Sequence, residues 1–132
     1  MTVIGKAVRH FLLASGAPVN LPLTFDDRSE IGRALMLIGT AADDFESALS
    51  YRERAVTAKQ GADLVFLIVA TMERFGLSFD DVFAEVNRSN LSRIDPATGT
   101  PFERDAKTGH INRGPQFYDP SDAISEIVDT PS

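Results

Sequence analysis

Gly61-Ala-Asp-Leu-Val-Phe-Leu-Ile-Val-Ala-Thr-Met-Glu-Arg-Phe-Gly-Leu-Ser-Phe-Asp-Asp-Val-Phe-Ala-Glu-Val-Asn-Arg-Ser-Asn90 is the stretch on which the fold turns. It opens with an acid, Asp63, followed by the most apolar run of the chain, Leu64 to Ala70. Its continuation through Thr71-Met-Glu-Arg-Phe75 favours a helix over a strand, and Gly76 suits the residue just past a helix end, where a left-handed backbone is needed. Ser78 is placed to cap a following helix, with Asp80 and Asp81 in its first turn, where negative charge complements the helix dipole. A helix apolar on nearly every side must be covered on every side. One small core covers only part of it, so the 61–75 helix is expected to form a subunit interface.

Working outward toward the N-terminus, Val3 to Ala14 has Val8, Phe11 and Leu12 on one side of a short helix, which Gly16-Ala-Pro18 ends. An extended connection containing Pro22 follows, and Asp26, Asp27 or Ser29 can cap a second helix over about Ser29 to Leu49. There Ile31, Leu35, Ile38, Ala42, Phe45 and Leu49 recur at spacings of three and four. A flanking row reads Leu37, Ala41, Asp44, Ala48. An acid in a row of small and apolar residues is either a site residue or a boundary residue reaching water, because an unpaired buried carboxylate is costly. The polar stretch Tyr51 to Gln60 is a connection or the first turns of the third helix.

Toward the C-terminus the character changes after Arg93. Asp95-Pro-Ala-Thr-Gly99 and Asp105-Ala-Lys-Thr-Gly109 are two near-copies of one turn. The second is expected to join two short strands, Pro101–Arg104 and His110–Arg113, into a hairpin. A ring-bearing segment from Gly114 to Pro120 then leads to a last helical turn or two over Ser121 to Val128. The whole reads as one all-α, four-helix-bundle-like domain over 1–132, with a helical core at 3–93 and a hairpin and extended tail at 94–132.

Bulk properties narrow the functions. The 132 residues suit one modest core, with 43% hydrophobic and 24% charged residues. A net charge of −6 argues against a nucleic-acid binder, and the absence of cysteine removes disulfides and thiolate sites. His10 and His110 form no metal-ligand pattern. No stretch reaches the roughly 20 apolar residues of a membrane span and no signal peptide opens the chain, so a cytoplasmic protein with no membrane partner is expected. Residues 88–113 carry five basic and three acidic side chains, a net of +2, which leaves −8 on the remainder. Such a basic segment suits a small anionic ligand, although scattered surface ion pairs explain it equally.

The segments Val82-Phe-Ala-Glu-Val-Asn-Arg-Ser-Asn-Leu-Ser-Arg93 and Pro101-Phe-Glu-Arg-Asp-Ala-Lys-Thr-Gly-His-Ile-Asn-Arg-Gly-Pro-Gln-Phe-Tyr-Asp-Pro120, together with the opening Phe11-Leu-Leu-Ala-Ser-Gly-Ala-Pro-Val-Asn20, resemble MazG-like proteins of the phosphoribosyl-ATP pyrophosphohydrolase type. The resemblance implies an all-α fold, a homodimer or dimer of dimers, and Mg²⁺- or Mn²⁺-dependent hydrolysis of a nucleoside triphosphate to monophosphate and pyrophosphate. The family's acidic pattern, EExxE on one helix and ExxD on the next, falls on Thr40, Ala41 and Asp44, then on Gln60 and Asp63, when the hydrophobic positions are kept in register. Asp44 and Asp63 are therefore the implied metal ligands, and Thr40, Ala41 and Gln60 are degenerate positions. A slid register offers Asp43 with Asp44 and Ser47 but breaks the hydrophobic match. The phosphate- or sugar-binding positions correspond to Asn90, Arg93 and Arg113. Two carboxylates hold a divalent ion weakly at best, so the expectation is a nucleotide binder with weak hydrolysis, or a catalytically silent homologue binding a nucleotide or another small anion. A purely structural oligomer is the third reading.

Overall fold

The computed structural model describes residues 3–23 and 28–129; the proposed caps Asp26 and Asp27 lie outside them. The fold is all-α with a short antiparallel hairpin: α1 Ile4–Ala14, α2 Arg28–Ser50, α3 Arg54–Arg74, α4 Phe79–Leu91, β1 Ile94–Asp95, β2 Thr100–Pro101 and α5 Ser121–Asp129. These elements form two compact units, one running through Phe79 and the other beginning at Asp80.

In the first unit, α3 is flanked by α1 and α2. Val8 and Leu12 of α1 pack on Val69 and Ala70 of α3, with Ala17, Val19 and Phe79 around them. Phe11, expected on the same apolar side, is 55% exposed and meets the Phe66 ring edge-on, centroids 5.5 Å apart. Tyr51 to Gln60 resolves into a short turn and the first turns of α3. α2 leaves through a turn in which the Arg52 amide donates to Leu49 and the Glu53 amide to Ala48. Arg52 takes the left-handed position, φ 56°, usually given to glycine. α3 ends in the same motif, this time with Gly76 at φ 73° and the Leu77 amide donating to Met72. The Glu30–Arg74 ion pair and the Leu21 amide bond to the Arg74 carbonyl tie down the far end.

Three further details of this unit depart from the expectations. Ser29 lies inside α2, whose first residue is Arg28, so it does not cap that helix. The apolar row of α2 is not its most buried one. Leu35 and Leu49 are 69% and 56% exposed, whereas Ala41 and Ala48 of the Asp44 row are buried. Small side chains let α2 approach α3 closely, and the Phe45 ring lies where a Cβ on Gly61 would be only 3.0 Å from it. Finally, α3 is long and apolar enough, by length and composition only, to cross a membrane. An uninterrupted apolar run is shorter than this, because Lys59 and Gln60 separate Ala55, Val56 and Ala58 from the run that begins at Leu64.

α4 opens at Phe79, the last residue of the first unit, and continues in the second with Asp80 and Asp81 in its first turn and Glu85 and Ser89 buried. The β-ladder pairs Ile94 with Pro101 and Asp95 with Thr100, so it flanks the first Asp-to-Gly turn rather than the second. The second turn has a single bridge, Arg104 to Ile111. Both turns work alike: the aspartate accepts backbone amides, Ala97 on Asp95 and Lys107 and Thr108 on Asp105. Ser89 donates to the Tyr118 carbonyl at 2.8 Å and holds the tail segment on α4. α5 is longer than the turn or two expected and starts at Ser121, whose amide and hydroxyl both donate to Asp119.

Candidate functional site

The antiparallel turn at Tyr51–Glu53 brings the second half of α2 beside the first half of α3. An open cleft of about 470 Å³ forms there, within the first unit. Thr40, Ala41 and Asp44 line one wall, Lys59, Gln60 and Asp63 the other, and Met36, Leu37, Phe66 and Leu67 supply an apolar end. All five positions of the in-register acidic pattern thus share one cleft. Asp43 does not join them: with Glu46, Ser47, Ser50 and Tyr51 it lines a separate shallow depression.

Lys59 is the residue that the sequence reading passed over. Its ammonium is 2.6 Å from an Asp63 carboxylate oxygen, one turn along α3. The hydrogen bond and charge of Asp63, and further off the charge of Asp44, raise the Lys59 pKa above its ordinary value. The four-residue spacing was a legible signal. Its meaning depends on the cleft, because only there does Asp44 join the pair.

A hard divalent ion takes about six to eight oxygen ligands, and Mg²⁺ commonly keeps waters beside one or two carboxylates. The cleft offers two carboxylates with the Gln60 and Thr40 oxygens, and one of those carboxylates already carries an ammonium. Among the described residues no group of three His, Cys, Asp or Glu side chains is arranged to hold a metal. This donor set does not fit a cluster of two or more ions. Glu85 does not supply a missing ligand either, since it is bound through both oxygens by Arg88 within α4.

The residues proposed for phosphate or sugar lie in the second unit. Asn90 is exposed in the last turn of α4. The Arg93 and Arg113 guanidiniums, twenty residues apart in sequence, both lie over the Phe117 ring, at 5.2 and 4.6 Å from its centroid. Arg93 Nε is buried without a hydrogen-bond partner among the described residues. Nearby, Arg88 lies over Tyr118 at 5.2 Å. Phe117 thus gathers two cations onto one ring. Sequence reading saw only a ring-bearing segment, because which arginines share a ring is a tertiary fact.

A profile of the phosphoribosyl-ATP pyrophosphohydrolase family matches residues 22–90, just over half of the chain, and spans α2, α3 and nearly all of α4. The chain belongs to that family, which carries nucleotide pyrophosphohydrolase-type function. No curated protein matches it.

Proposed function

We propose that this protein binds a nucleoside triphosphate and that its hydrolysis to monophosphate and pyrophosphate is weak or lost. The observation that carries the reading is the composition of the α2–α3 cleft: Asp44 and Asp63 remain, Thr40, Ala41 and Gln60 stand at the other acidic positions, and Lys59 engages Asp63. Without a carboxylate cluster, little in the cleft can stabilise charge developing on a transferring phosphoryl group. Asn90, Arg93 and Arg113 are assigned to phosphate or sugar oxygens, and the shared Phe117 ring supports the pairing of the two arginines by restricting guanidiniums that suit phosphate. A divalent ion, Mg²⁺ or Mn²⁺, would be weakly held at Asp44 and Asp63. A homodimer or dimer of dimers through α3 is part of the same reading, supported by Val65, Phe66 and Ile68, each 38–45% exposed.

The test is pyrophosphate release from a panel of NTPs and dNTPs with Mg²⁺ or Mn²⁺, beside thermal stabilisation by the same nucleotides. Stabilisation with little or no turnover is expected. Robust turnover abolished by Asp63→Ala would refute the reading of a weakened site, and no stabilisation by any nucleotide would refute binding. In light scattering, a monomer would contradict the interface.

A further inference from the structure

Among the described residues that line the cleft, Lys59 is the one cation, and it is built into the wall. We infer that Lys59 acts as an internal counter-ion in the cleft of Asp63 and Asp44, and that it, together with the loss of acids, weakens the hold of that cleft on a divalent cation. The inference rests on the family reading of this cleft as the metal-facing side.

Three observations carry it. The Lys59 ammonium is 2.6 Å from Asp63, within the distance of a direct charge-assisted hydrogen bond, and thus occupies a carboxylate that an ion would need. Asp44 lines the same cleft from the other helix, so the cleft sets two carboxylates beside this one ammonium. The lysine itself is 69% exposed, so no packing forces it onto Asp63, and it can be replaced without disturbing the core. With the ammonium in place the two carboxylates carry a combined charge of −1 with Lys59; without it they present −2 to the cleft. An incoming divalent ion must displace the lysine or sit beside a like charge. Lys59 is then a positioning and specificity-determining residue, acting on the charge and availability of Asp63.

The experiment uses the full chain without nucleotide and reads Mn²⁺ binding by electron paramagnetic resonance or calorimetry. Lys59→Gln is expected to bind Mn²⁺ roughly three- to tenfold more tightly than the unsubstituted protein, a range set by removing one charge a few ångströms from the ion under solvent and salt screening. Lys59→Arg keeps the charge and should bind as weakly as the unsubstituted protein. Adding Asp63→Asn to Lys59→Gln should abolish the gain. Equal Mn²⁺ affinity for the unsubstituted protein and Lys59→Gln would overturn the inference, as would no Mn²⁺ binding by Lys59→Gln. Because no nucleotide is present, this outcome is separate from the turnover and stabilisation measurements above: the protein can fail as a nucleotide binder and still show the lysine effect.

Discussion

Glu73 is the most consequential polar group in the first unit, and its removal tests the account of the α3–α4 turn. The residue is 6% exposed, near the C-terminal end of α3, and one carboxylate oxygen accepts the Phe79 amide at 2.8 Å. The other oxygen is 3.8 Å from Arg9, whose side chain is a third exposed. A hydrogen bond to a charged group contributes about 1.5–3 kcal/mol. The half-exposed ion pair adds at most about 1 kcal/mol. Glu73→Ala should therefore cost about 2–3 kcal/mol, seen in urea as a lower midpoint with an unchanged slope. At this chain length that corresponds to a melting temperature lower by about 6–15 °C. Glu73→Gln keeps an acceptor without the charge and should lose about half as much, since charge-assisted bonds are roughly twice as strong. Arg9→Ala should cost less than about 1 kcal/mol. A loss below about 0.5 kcal/mol for Glu73→Ala would show that the carboxylate does not hold this turn, and the reasoning would fail.

Three further outcomes are expected. Arg52→Gly should raise stability by about 0.5–1 kcal/mol in the same urea assay, because Arg52 sits at φ 56° and glycine takes that backbone without strain. Asp105 accepts the Thr108 and Lys107 amides and the Thr108 hydroxyl, which hold its pKa below the ordinary aspartate value. A depressed carboxylate means that the unfolded chain binds more protons in that range, so the turn's contribution is complete above about pH 4–5 and is lost as pH falls through the native value. An NMR titration of the Thr108 amide should accordingly show its midpoint below the ordinary aspartate value, and a midpoint at or above that value would contradict the bonding pattern. Phe117→Leu removes two guanidinium–ring contacts of about 0.5–1 kcal/mol each and should weaken nucleotide-dependent stabilisation, an effect that Phe117→Tyr should largely spare.

The sequence by itself determined the elements that rest on local rules. α2 follows from apolar spacing, α3 from an apolar run that continues too far for a strand, the end of α3 from Gly76, and the two aspartate turns from Asp and Gly at fixed offsets. These signals concern neighbours within a few residues, so they need no knowledge of the fold. The family resemblance and the short list Thr40, Ala41, Asp44, Gln60 and Asp63 were legible in the same way, as residue types at motif spacings. Which face of α2 is buried was not, because the choice between the Leu35–Leu49 row and the Ala41–Ala48 row depends on how closely α3 approaches. Nor was the turn after α2, which ends at Ser50 close to the expected Leu49, because there the tertiary turn imposes a left-handed backbone on Arg52, a residue that does not favour it. The cleft shows the same division. Spacing supplied two carboxylates, and an eye for four-residue pairs could have added Lys59. Only the antiparallel packing of α2 on α3 placed Asp44 on the same cleft as that pair, and only the folded tail set Arg93 and Arg113 on one ring. Charges act through space, and sequence spacing measures that space only within a single helix.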